Sequence, residues 1–142
     1  MRLAFQLAVG LLGASALYVG LANLLLGVQV LAQFYGPISD GLSGAARAGV
    51  DVQLRILGGA WLGVGVLALA TLRRFERHTL ALRVVFLSFA FSALGDLASL
   101  LELGGEAASR LPRVAAQLGI CAGMEAWRWA LVRRGSRAPS GR

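Results

Sequence analysis

No charged residue stands between Arg2 and Asp40. Few folds can absorb such a run. As a helix, residues 4–31 would extend roughly 42 Å at about 1.5 Å per residue, more than a hydrocarbon core of about 30 Å needs. Three further apolar runs follow, over residues 52–72, 80–103 and 114–132. Hydrophobic residues form 57% of the chain and charged ones 15%, so lipid is the expected solvent for most of the surface. The expected fold is all-α: an antiparallel bundle of four transmembrane helices over residues 1–132, ahead of a disordered basic tail at 133–142.

A secretory leader is the competing reading of the first run. Arg2 precedes an apolar region, and Ala14-Ser15-Ala16 resembles a small-residue cleavage site. The apolar character continues to Leu31, well past that point, which favours an uncleaved span.

Topology follows from the arginines. The net charge is +7 and every one of the strong bases is arginine. Arg73, Arg74 and Arg77 lie between the second and third runs, and Arg133, Arg134, Arg137 and Arg142 lie in the tail. Only Arg47 lies between the first and second runs, and Arg110 and Arg113 between the third and fourth. The excess places both termini and the middle connection in the cytoplasm. The same clustering beside apolar runs argues against nucleic acid as partner, as does the lack of any finger, helix-turn-helix or aromatic-basic motif. Arginine without lysine, with abundant Ala, Gly and Leu, suggests a GC-rich bacterial genome and hence the bacterial inner membrane.

Two glycine patterns suggest helix packing. Gln6, Gly13, Gly20 and Gly27 recur every seven residues, the spacing of a seam packed at a shallow left-handed angle. Asn23 lies one turn from Gly20 and Gly27 and so faces the bundle. In the second run Asp51, Arg55, Gly59 and Gly63 recur every four residues, and Gly59-x-x-x-Gly63 would let two helix backbones approach. In the fourth, Gly119-x-x-x-Gly123 lies nearly opposite a polar face of Gln117, Cys121, Glu125 and Arg128. Residues 33–50 carry turn chemistry, with Phe34 and Tyr35 placed for an aromatic belt and room for a short amphipathic piece at 41–49. Trp127 and Trp129 mark the closing interface.

The buried charges are the candidate site. An ionisable group such as Asp96 at membrane depth costs roughly 2.5–3.5 kcal/mol on insertion scales, so it needs compensation. An Arg55–Asp96 pair is open, with Asp51 and Glu102 as alternative partners nearer water. Glu125 has Arg128 three residues on, able to snorkel. Helix-locking ion pairs are one reading of these groups. The other is a polar pocket open to the outer face, lined by Asn23, Arg55, Asp96 and Glu125. The chain lacks a catalytic set. The only histidine, His78, has no metal-ligand partner and reads as a solvated loop residue, and no phosphate loop or nucleophile-base-acid trio is present. Neither metal nor cofactor is expected.

Asp51-x-Gln53-Leu54-Arg55-x-x-Gly58-Gly59-x-Trp61-x-Gly63, followed by a third span ending near Gly95–Gly104, resembles a bacterial four-helix membrane family known as domain of unknown function 4345. The likeness covers most of residues 3–131 and is specific mainly over 51–63. It implies the same four-span architecture and supplies no activity. The expected role is therefore binding. The leading reading is an accessory, scaffold or partner-binding subunit that packs through its glycine faces in a homodimer or larger membrane complex. The alternative is a binder or carrier of a small amphiphile or cation.

Overall fold

The computed structural model describes residues 1–31, 41, 44–103 and 111–136, and over 99–103 and 134–136 the backbone alone. Every element among them is helical. Helix α1 spans Arg2–Leu26 and α2 spans Gly44–Thr71, which continues into a 3-10 turn at Leu72–Arg74. Helix α3 spans Thr79–Leu103 and α4 spans Leu111–Ser136. The stretches Arg2–Leu26, Gly44–Arg74 and Thr79–Ala98 are long and apolar enough to cross a membrane. Helix α4 covers the fourth expected run, and Glu125, Arg128, Arg133 and Arg134 lower its hydropathy.

The boundaries shift for local reasons. Helix α1 stops at Leu26 because Gly27 turns to φ +54°, a conformation glycine adopts without a Cβ penalty. Helix α2 begins at Gly44, upstream of the apolar run, because Ala45, Ala46 and Arg47 are strong helix formers. Helix α4 carries residues 133–136 of the expected tail. The expectations for Phe34, Tyr35 and the turn around them, for Glu106 and Arg110, and for the tail beyond Ser136 lie outside the described residues.

The chain divides into two compact units, Val9–Ala70 and Met1–Ala8 with Thr71–Arg142. In the first, α1 and α2 form an antiparallel hairpin whose backbones touch. A Cβ added to Gly20 would stand 2.7 Å from the Leu62 nitrogen, and one added to Gly58 would stand 2.6 Å from the Leu24 nitrogen. A Cβ on Gly65 would stand 2.9 Å from the Gly13 oxygen. The seven-residue series Gly13, Gly20, Gly27 thus runs against a matching series Gly65, Gly58, Asp51 in the opposite direction. On the far side of α1, Leu11 is 73% exposed and Leu25 69%, an apolar surface with no protein cover.

In the second unit α3 and α4 run antiparallel. Arg128 donates to Thr79 Oγ1, Arg83 to Glu125, and Gln117 to the Phe89 carbonyl, while Ala93 packs on Val114. A tight turn precedes α3, with the Arg74 carbonyl accepting from the N–H groups of Arg77 and His78. His78 is exposed. The first residues of the chain close this unit. Phe5 is fully buried, 5.0 Å from the Phe75 ring and edge-on to Trp127 at 5.6 Å. Gln6 donates to the Leu72 carbonyl at 2.8 Å, and Arg2 pairs with Glu76. Trp127 thus also serves as a packing residue. Trp129 stays exposed, with the Arg133 guanidinium 3.2 Å over its ring.

Candidate functional site

Helix α1 ends at a clamp supplied by α2. A helix C-terminus leaves carbonyl oxygens without intrahelical donors and carries partial negative charge. Arg55 Nη1 donates to the Leu24 carbonyl at 2.7 Å, placing a cation at that end. Arg55 Nε donates to Asp51 Oδ2 at 2.7 Å, and the other carboxylate oxygen accepts from the Val28 N–H at 2.8 Å. The i, i+4 spacing of Asp51 and Arg55 puts both side chains on the helix face that meets Gly27. The bonds of Arg55 therefore stay inside the α1–α2 unit, and Asp51 is the partner used. Asn23 is buried, as its place between two seam glycines implies, and its Nδ2 donates to its own helix at the Val19 carbonyl, 2.9 Å away.

A second polar cluster joins α3 to α4. Glu125 accepts from Arg128 through both oxygens, Nε to Oε2 at 2.6 Å and Nη2 to Oε1, and from Arg83 Nε at 3.1 Å. The Arg128 side chain is only 3% exposed, so it does not snorkel; it is locked by a bidentate pair and by Thr79. Arg83 belongs to this cluster although it was not among the expected site residues. Its signal was weak but present: a lone base within an apolar run, one turn into α3, level with the lone acid near the opposite end of α4 in an antiparallel hairpin.

Asp96 is half-buried and has no hydrogen-bond or ion-pair partner among the described residues. It lies thirteen residues beyond Arg83 on α3, about 20 Å along the axis, so Asp96 and Glu125 do not form one pocket. Asn23 and Arg55 belong to the other unit and are each engaged there.

The expected packing glycines also divide. Gly59 and Gly63 do not contact α1; Gly58 and Gly65 do. A Cβ added to Gly59, Gly63, Gly119 or Gly123 would meet nothing within 4 Å. All four are exposed. On α2 the outward glycines continue Val52 and Ile56, 55% and 63% exposed, toward Val66, at the alternating four- and three-residue spacing of a helix-packing seam.

A family model described as "Domain of unknown function (DUF4345)" matches residues 4–133. No curated protein and no solved structure matches the chain.

Proposed function

Because the chain belongs to the DUF4345 family, whose description assigns no activity, we propose a role drawn from its own surfaces: it is a membrane-embedded binding subunit that docks another membrane chain through its outward glycine faces. The protein threads a bacterial cytoplasmic membrane four times with both termini inside. Charge distribution supports that topology, since the arginine-rich connection and the C-terminal end of α4 sit on one side of the alternating spans. The observation that carries the docking role is the open space around Gly59, Gly63, Gly119 and Gly123. A helix-interior glycine costs roughly 0.5–1 kcal/mol relative to alanine, and no close contact among the described residues requires these four. Close approach by a second helix would.

Capture of the protein in native-membrane nanodiscs followed by native mass spectrometry is the test. The expected result is co-purification with a second membrane chain, identical or different. A monomer alone, under conditions that retain known complexes, contradicts the role.

A second reading rests on Asp96, half-buried and without a described partner: a site for a small cation or an amphiphile. Asp96→Asn should then abolish ligand stabilisation or proteoliposome uptake while Glu125→Gln weakens it through the fold. No effect from either ends this reading.

A further inference from the structure

Arg83 stands apart from the other buried-network residues. Its side chain is 54% exposed, and only Nε is engaged, leaving two terminal nitrogens without a described partner. The carboxylate it shares already holds a bidentate arginine, so two guanidinium groups meet one Glu125 and the cluster keeps a net positive charge. The surroundings add to that charge. Helix α3 starts beside this cluster with no acidic residue in its first turn, so the positive end of its dipole is uncompensated. Arg73, Arg74 and Arg77 are exposed just before it, and Glu76, the acid among them, is taken by Arg2.

The same face continues as hydrocarbon surface. Leu80 is 76% exposed, Val84 45% and Leu87 53%, and they lie three residues before, one after and four after Arg83. Phe91 and Leu94 extend this exposed stripe along α3. From Arg83 to Leu94 the stripe is about 16 Å long, enough for one leaflet of a hydrocarbon core of about 30 Å. A guanidinium fork with free donors at the head of an apolar stripe of that length matches one class of molecule.

We propose that Arg83 binds the phosphodiester headgroup of an anionic phospholipid whose acyl chain lies along Val84, Leu87 and Phe91. The fork geometry suits two phosphate oxygens, and the surplus positive charge selects an anionic over a zwitterionic headgroup. The site rests on the membrane-embedded reading and adds a ligand to it.

The full chain, purified in a nonionic detergent, is titrated with phosphatidylglycerol, with phosphatidylcholine and with inorganic phosphate, and bound lipid is followed by native mass spectrometry. Saturable retention of phosphatidylglycerol alone is expected, weakened about five-fold or more by Arg83→Gln and unchanged by Arg113→Gln. Equal retention of both lipids by the wild-type protein overturns the proposal whether or not Arg83→Gln folds. So does competition by inorganic phosphate at millimolar level, which would make the site one for a free anion. Unaltered phosphatidylglycerol binding in a folded Arg83→Gln variant also overturns it. Recovery of the protein from the aqueous fraction without detergent is a different failure, one that removes the membrane reading itself.

Discussion

Gly27 is the residue where backbone and charge requirements meet. Its φ of +54° suits glycine, and an added Cβ would collide with the Asp51 carboxylate that receives the Val28 N–H. Gly27→Ala should lower stability by roughly 2 kcal/mol, from the left-handed backbone cost and the displaced carboxylate together, read as a drop in the detergent melting midpoint. Glu125 should be more sensitive. Glu125→Gln leaves the Arg128 guanidinium, 3% exposed, without its counter-charge, and about 3 kcal/mol of destabilisation is expected. The double change Glu125→Gln with Arg128→Met should recover much of that loss, which a double-mutant cycle on thermal unfolding would measure. Residue identity told part of this in advance: Asn23 was recognisable as inward-facing, while Asp51 stood only as an alternative to Asp96 as the partner of Arg55, and the i, i+4 pair is the one that forms. Arg83 was not recognisable, because one arginine near a helix start looks like any interfacial base until the facing helix is in register.

At the scale of the helix, the contrast between adjacent glycines carries the account. Helix α2 has tight contacts at Gly58 and Gly65 and open space at Gly59 and Gly63. Gly58→Ala should destabilise the hairpin by about 1–3 kcal/mol, since its Cβ would press on the Leu24 backbone. Gly59→Ala should leave the melting midpoint unchanged or raise it slightly, because alanine favours helix and has room. The sequence contained both patterns, and geometry separates them. A four-residue step overshoots a turn by about 40°, so Asp51 and Gly63 end up about 120° apart around the helix. A seven-residue step drifts only about 20°, so Asp51, Gly58 and Gly65 stay on one face. The seam of α1 was legible because its glycines recur at seven. Its partner series was obscured because aspartate occupies the first position and because Gly59 and Gly63 offered a more familiar motif.

For the whole molecule, composition and charge distribution made the helical, apolar character plain, and the match over residues 4–133 agrees with the resemblance carried by residues 51–63. Which acid each arginine pairs with was less legible, because hydropathy gives depth in a membrane but not which helices pair. The central claim is that the outward glycines serve a second chain. Its most direct test attaches a photo-activated cross-linker to Gly63→Cys in a Cys121→Ala background, in native membranes, with Leu11→Cys as the exposed apolar control. The account predicts a discrete protein adduct from Gly63→Cys and none from Leu11→Cys. Lipid adducts alone from both positions, and likewise from Gly119→Cys, would contradict it.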